Sequence, residues 1–208
     1  MAHAPADASL VACASATDHA DPGACVAPGP APDPFAAVDP LAALEHAARM
    51  LEQARAAGHP GLMAEACHRL AGCWRALGER RAALASLERA LPWARSSGAS
   101  DHALALQCET AELLADMAAR ADRGDRGSGR PLRERARDTI FEVVRAAAGC
   151  ADPRWEVMLL LRLSDVLDRF GDHDDATALQ VRALRLTAAE FYGEPAPRAE
   201  DAARLRVH

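Results

Sequence analysis

The chain has 208 residues and a formal net charge of −6, and half of its residues are hydrophobic although only 4% are aromatic. Alanine and leucine, both good helix formers, supply most of that apolar content, so the composition favours an all-α protein. All 24 side chains counted as lysine or arginine are arginines, which excludes a Schiff-base lysine and the lysine of a phosphate-binding loop.

The cysteines and the apolar runs bear on the cellular location of the protein. Six cysteines are spread along the chain without a CxxC pair, which predicts free thiols in a reducing environment. No stretch approaches the ~20 apolar residues that cross a bilayer. Leu10–Cys13 resembles a lipoprotein cleavage box, but no positive charge precedes it. We therefore expect a cytoplasmic protein without membrane contact.

The first 38 residues are rich in alanine, proline and aspartate, with prolines at alternate positions from Pro28 to Pro34. Proline at this density is incompatible with a helix, so 1–38 is predicted to be a disordered leader. Asp39-Pro40 is a plausible helix start, with an N-cap followed by proline at the first helical position. An ordered domain is predicted for 39–192, followed by a tail or capping segment at 193–208.

Helical spacing of apolar residues begins after Pro40. Three helices are predicted, ending near Gly58, Gly78 and Gly98, and the first and third superpose with a shift of 40 residues: Ala43 on Ala83 and Leu51 on Leu91. A fixed period of this size is typical of a solenoid. A third copy starts at Asp101, and residues 120–131 are predicted to be a flexible arginine- and glycine-rich insertion. A helix from Leu132 and a hairpin from Trp155 to about Ala189 complete the domain.

Two segments carry the same spacing of small and large residues. They are Leu70-Ala71-x-x-Trp74-x-x-x-Gly78-x-x-x-x-Ala83-x-x-x-Leu87-x-x-Ala90-Leu91 and Leu163-Ser164-x-x-Leu167-x-x-x-Gly171-x-x-x-x-Ala176-x-x-x-Gln180-x-x-Ala183-Leu184. This pattern resembles the tetratricopeptide repeat, in a long bacterial variant of about 40 residues. The third repeat departs from the pattern, with Thr110 in place of leucine and Ala118 in place of glycine.

The resemblance implies an α-solenoid of antiparallel helical hairpins, a superhelix whose concave groove binds a protein or peptide. It implies a non-catalytic scaffold or adaptor without a cofactor or metal. Register places the groove positions on the first helix of each hairpin. They are Glu65, His68 and Arg75, then Cys108, Glu112 and Asp116, then Met158, Asp165, Asp168 and Arg169. Their mostly acidic character predicts a polar or basic ligand.

Two other clusters contain residue types that bind metals. Cys67, His68 and Cys73 offer at best two ligands on one helix face, and cysteine is also a common buried residue. Asp172 to Asp175 follow Gly171 at a helix start, where acidic residues cap free N–H groups. Core packing and capping are the preferred interpretations.

Residues 120–137 differ from the rest of the chain in charge. They hold seven arginines against three acids, a balance of +4 that leaves −10 for the remainder. Arg123, Arg126 and Arg130 could contact an anion, nucleic acid or an acidic partner, although no aromatic residue is interleaved for base stacking. A solvated linker within a tolerated insertion is the preferred interpretation of this segment. The alternative function of the chain is that of a regulatory, sensor-like or transcription-associated accessory protein whose arginine-rich loop contacts a ligand or nucleic acid.

Overall fold

The computed structural model describes residues 39–148, 150 and 152–192. Within them the chain is all-α, with seven helices and no strand. The helices are α1 (Pro40–Ala56), α2 (Pro60–Ala76), α3 (Arg80–Ser96), α4 (Ser100–Gly124), α5 (Arg130–Ala147), α6 (Pro153–Phe170) and α7 (His173–Tyr192). The predicted leader at 1–38 and tail at 193–208 lie outside the described residues.

The first four helices begin at 20-residue intervals, at positions 40, 60, 80 and 100. Gly58, Gly78 and Gly98 follow the first three helices with φ between 63° and 80°, a backbone region that glycine enters without steric cost. After α1, the N–H of His59 donates to the carbonyl of Ala54, which is the Schellman arrangement of a helix end. Each 17-residue helix and its short turn therefore form one unit, and two units give the predicted 40-residue repeat.

Consecutive helices pack as antiparallel hairpins, as the repeat pattern predicted. The hairpins are α2–α3, α4–α5 and α6–α7, with α1 packed on α2 and with α4 in contact with α3 and α6. Alanines make the tight contacts: Ala71, Ala83 and Ala90 are fully buried, and Leu87 fills the space between helices. None of the described helices has the length and apolar content needed to span a membrane.

Two apolar cores share α4. Leu106, Leu113 and Leu114 of this helix join the core formed with α1, α2 and α3. Cys108 and Ala111 join the second core with α5, α6 and α7. The helix is therefore apolar on two sides, and its acids Glu109, Glu112 and Asp116 lie on the narrow strip that remains.

The insertion predicted at 120–131 is shorter than expected. Helix α4 continues to Gly124 and α5 begins at Arg130, so 125–129 alone are non-helical. The reason is the Ala118 that replaces glycine, because no left-handed residue ends α4 at that point. The Asp122 carboxylate accepts hydrogen bonds from the N–H groups of Gly127 and Gly129, at 3.2 and 2.9 Å, and pairs with Arg133. These contacts fold the segment back on α4.

Gly129 is the point of closest approach in this turn. A Cβ atom there would lie 2.3 Å from the carbonyl oxygen of Ala118, which is backbone and cannot rotate away. We predict that Gly129→Ala lowers the free energy of unfolding by about 1–3 kcal/mol, the usual cost of overpacking.

The matched control is Gly72→Ala. Gly72 is an exposed helical residue, and a Cβ atom added there would have no other atom within 4 Å, so helix propensity should raise stability by about 0.5–1 kcal/mol. Urea unfolding followed by circular dichroism measures both. Equal effects of the two substitutions would contradict the tight contact at Gly129.

Candidate functional site

The first helices of the hairpins, α2, α4 and α6, present a strip of polar side chains. On α2, Glu65 and His68 are half-buried and Arg75 is exposed. On α4, Glu109, Glu112 and Asp116 are half-buried and follow helical spacing, so they share one face. The strip therefore runs along α4, and residues of the neighbouring helices meet it from both sides.

His68 joins α2 to α4 through both of its ring nitrogens. Its Nδ1 lies 3.2 Å from Nε2 of His102, and its Nε2 lies 2.9 Å from Oε1 of Glu109. The other oxygen of Glu109 lies 3.5 Å from Arg75. Because a carboxylate only accepts, Nε2 of His68 carries the proton, and its Nδ1 accepts from His102 Nε2–H when both rings are neutral.

This network moves the pKa values in opposite directions. The hydrogen bond to Glu109 raises the pKa of His68 against the effect of burial. Burial and the neighbouring His68 lower the pKa of His102. Burial works against ionisation of Glu109, but His68 and Arg75 outweigh it and lower the pKa of this carboxyl. When the pair ionises, the charge therefore resides on His68 rather than on His102.

Glu112 joins α4 to α6. Arg162 donates to its two carboxylate oxygens, from Nε and Nη2, at 2.8 Å each. This two-pronged geometry is the most specific that arginine and a carboxylate can form. The predicted groove residue Glu112 is thus already engaged by the chain's own arginine.

Asp116 also forms salt bridges within the chain, one with an arginine of α3 and one with an arginine of its own helix. Arg80 donates to Oδ2 at 2.5 Å, and Arg120 lies 3.2 Å from the same oxygen. Burial opposes ionisation, but the two arginines lower the pKa of this carboxyl. The acidic character predicted for the groove is therefore largely compensated along α4.

Helix α6 differs from α4 because its outward stripe remains exposed. Met158 and Leu161 are 37% and 46% exposed, and the predicted residues Asp165, Asp168 and Arg169 are exposed beside them. Asp168 contacts Nδ1 of His173 at 2.5 Å, and Nε of Arg169 donates to the backbone carbonyl of Asp165. In the described part of the chain, the Asp165 carboxylate forms no salt bridge.

The expectation that Cys108 faces the groove is wrong. Its side chain is fully buried in the second core, and burial raises the pKa of the thiol to about 12. Glu109, one position later, takes the groove-facing place. The 40-residue superposition missed this change because side-chain direction rotates by about 100° for each residue of a helix.

Three partners in the strip were missed by sequence reasoning: His102, Glu109 and Arg162. His102 lies 34 residues after His68, and Glu109 lies 34 residues after Arg75. That common offset was a signal in the sequence, but the dominant period of 40 residues concealed it.

Most arginines of the arginine-rich segment form salt bridges with acidic residues of the chain itself. Arg130 contacts Glu134 at 2.7 Å, Arg135 pairs with Glu88, and Arg137 pairs with Asp172. Arg126 is exposed in the turn. Arg123 lines a cleft of about 470 Å³ between the α4 end and α6, and the lining also includes Asp116, Asp122, Arg133, Arg169 and Phe170.

The cysteine-containing cluster on α2 is not assembled around His68. Cys67 is 1% exposed and belongs to the first core, so its thiol is buried among apolar side chains, whereas His68 lies in the polar strip. Among the described histidines, cysteines and acids, donor atoms within 4.8 Å of one another are found instead for Glu65, His68 and His102.

Comparison with protein-family models, with curated proteins and with solved structures gives no match for this chain.

The His68–Glu109 contact has a testable pH dependence. Because the folded-state pKa of His68 is raised, the pair stabilises the protein fully below the ordinary histidine pKa and loses its effect as pH rises through the raised value. We predict that Glu109→Gln costs about 1.5–3 kcal/mol at pH values near 5.5 and less near 8.5, since hydrogen bonds between charged groups are the stronger ones.

Chemical unfolding of the chelator-treated protein at both pH values measures this difference. The control is Glu52→Gln, an exposed carboxylate on α1, whose effect should be small at both. In parallel, the ring-proton shifts of His68 should titrate at lower pH in Glu109→Gln. An unchanged His68 titration would show that Glu109 does not hold the proton.

Proposed function

We propose that the chain is a non-catalytic interaction scaffold of the tetratricopeptide type that holds a segment of a partner protein on the face formed by α2, α4 and α6. The observation that supports this most directly is the exposed stripe of α6, where Met158 and Leu161 are accompanied by Asp165 and Asp168. The Asp165 carboxylate forms no salt bridge among the described residues, and large apolar side chains exposed beside such a charge are typical of interaction surfaces.

The partner segment that suits this stripe is apolar and basic. Glu112 and Asp116 on α4 are neutralised by the chain's own arginines, so they offer little attraction to an incoming cation. Asp165 forms no salt bridge in the described part of the chain, whereas Asp168 contacts the exposed His173. A lysine or arginine of the partner would therefore find an acceptor at Asp165, next to Met158 and Leu161. The proposed class of ligand, an apolar and basic segment, is thus more restricted than the polar or basic peptide predicted from the sequence.

A binding role also fits the chemistry of the thiols. Burial raises the pKa of Cys67 and of Cys108, so both remain protonated and are poor nucleophiles. Cys67, Cys73, Cys108 and Cys150 are free thiols, which is typical of a reducing compartment, and we propose a cytoplasmic location.

Charge reversal on α6 tests the proposal. A displayed library of random peptides, selected on the full chain, should enrich peptides that combine arginine or lysine with apolar residues. Asp165→Lys with Asp168→Lys should weaken the enriched peptides by about tenfold or more, since like charges replace attraction at a desolvated surface. Fluorescence anisotropy with labelled peptides gives the affinities.

The control for this experiment is Glu45→Lys with Glu52→Lys, the same charge change at exposed positions of α1. It should leave peptide affinity within about twofold, because long-range effects of exposed charges are screened by salt. If no peptide is enriched, or if the enriched peptides bind both double variants equally well, the proposed binding surface on α6 is wrong.

A regulatory accessory protein is the second candidate, favoured by the cleft at the α4 end, where Arg123, Arg133 and Arg169 converge. It predicts that the full chain binds a single-stranded oligonucleotide with an affinity that falls steeply as salt is raised. Arg123→Ala, Arg126→Ala and Arg130→Ala together should abolish that binding in an anisotropy assay. Weak binding that is unaffected by the triple substitution rules this candidate out.

A further inference from the structure

Three side chains from two hairpins converge at the junction of α2 and α4. Glu65 and His68 lie one turn apart on α2, and His102 lies in the first turn of α4. One donor atom from each is within 4.8 Å of the others, and the two histidine nitrogens Nδ1 and Nε2 are 3.2 Å apart. All three side chains are partly exposed.

We propose that Glu65, His68 and His102 bind a zinc ion. Two imidazoles and one carboxylate are a ligand set that zinc uses when it keeps a fourth position open. In a tetrahedral site with Zn–N bonds of about 2.0–2.1 Å, two ligand nitrogens lie about 3.3 Å apart. The His68–His102 separation matches this edge without any movement of the backbone.

Glu109 holds His68 in the orientation that the proposed zinc site requires. Ligating histidines nearly always donate their other ring N–H to a carboxylate, carbonyl or water, which fixes the tautomer and the ring orientation. Nε2 of His68 makes such a contact with Glu109, at 2.9 Å, and Arg75 lies 3.5 Å from the second oxygen of Glu109. Nδ1 of His68 is therefore the nitrogen that presents its lone pair to the ion.

Binding requires little rearrangement of protons. In the metal-free protein, Nε2–H of His102 donates to Nδ1 of His68, as both nitrogens cannot be protonated at this separation. The ion takes the place of that single shared proton, and His102 becomes the tautomer that carries its proton on Nδ1. His68 keeps the same tautomer in both states.

The neighbouring charges are compatible with a cation. Glu65 receives a hydrogen bond from Arg69 on one oxygen, Oε1, and a carboxylate has a second oxygen for the ion. Glu109 adds negative charge behind His68. The Cys67 side chain is buried in the first core, so the ligand set contains nitrogen and oxygen but no sulfur.

Isothermal titration of the chelator-stripped full chain with Zn²⁺, under reducing conditions, tests the site. We expect one equivalent bound. His68→Gln and His102→Gln should each weaken binding by more than the about 10–100-fold that loss of an outer hydrogen-bond partner costs, and Glu109→Gln should fall within that range. The matched control is His46→Gln, an exposed histidine of α1, which should bind as the unaltered chain does.

Glu65→Gln provides a test that does not depend on the histidine variants folding. Its side chain lies at the surface, and the helical circular dichroism of each variant verifies the fold. We expect at least tenfold weaker binding, since an amide oxygen is a poorer zinc ligand than a carboxylate. Affinities equal to that of the unaltered chain in both His102→Gln and Glu65→Gln would overturn the proposal.

Cobalt separates this site from binding by thiols. Co²⁺ in the proposed site should give the visible bands of a tetrahedral ion without a near-ultraviolet thiolate-to-metal band. A variant with serine at the cysteines outside the two buried ones (Cys13, Cys25, Cys73 and Cys150) should retain the bound equivalent. A thiolate band, or loss of binding in that variant, would assign the metal to cysteine and overturn the proposal.

The result of the zinc-binding experiments does not depend on the proposed scaffold function. Metal binding is measured without a partner, and none of the ligands belongs to the exposed α6 stripe. Loss of peptide binding in the Asp165→Lys, Asp168→Lys variant with retained zinc binding would confirm that the two surfaces are separate.

Discussion

The burial of α4 on two sides is the constraint on which the rest of the structure depends. Leu106 and Leu114 face one core, and Cys108 and Ala111 face the other. A helix with two apolar faces has little circumference left for polar residues, so Glu109, Glu112 and Asp116 fall on one narrow strip. Half-buried acids cannot remain uncompensated at low cost. Three of the surrounding helices contribute basic groups to this strip: His68 and Arg75 come from α2, Arg80 from α3, and Arg162 from α6.

For the proposed scaffold function, this compensation limits the positions at which the chain could recognise a partner. Repeat proteins bind through the surface that the stacked hairpins share, but an acid already engaged by an arginine offers an incoming cation little net attraction. A bidentate pair such as Arg162–Glu112 would have to be broken before either group could serve a ligand. In the proposed scaffold, electrostatic recognition would therefore take place at α6, where Asp165 and Asp168 lie beside the exposed side chains of Met158 and Leu161.

The sequence predicted the helices well because their signals are local. Apolar spacing, the proline at each of several helix starts, and the glycines at 58, 78 and 98 each act within one turn of the chain, and together they gave the all-α hairpin architecture. The interactions between repeats could not be predicted in the same way. They depend on helix rotation, and an error of one residue exchanged the buried Cys108 for Glu109. The turn after α4 is also shorter than predicted. Its length depends on the hydrogen bonds from the N–H groups of Gly127 and Gly129 to Asp122, which form only when the chain folds back on α4 and which no local sequence pattern indicates.

The junction of α2 and α4 joins two successive hairpins through both polar and apolar side chains. His68, His102, Glu109 and Arg75 link these two helices through polar contacts, in addition to the apolar core that α2 and α4 share. A network built from two histidines responds to pH and to metal because each ring nitrogen is either a donor or an acceptor. A zinc ion would replace one shared proton by three coordinate bonds that span both helices. In a solenoid, where each repeat contacts only its neighbours, tightening one junction stabilises the array locally. It would do so without altering the charge of the α6 stripe, which lies one hairpin further along.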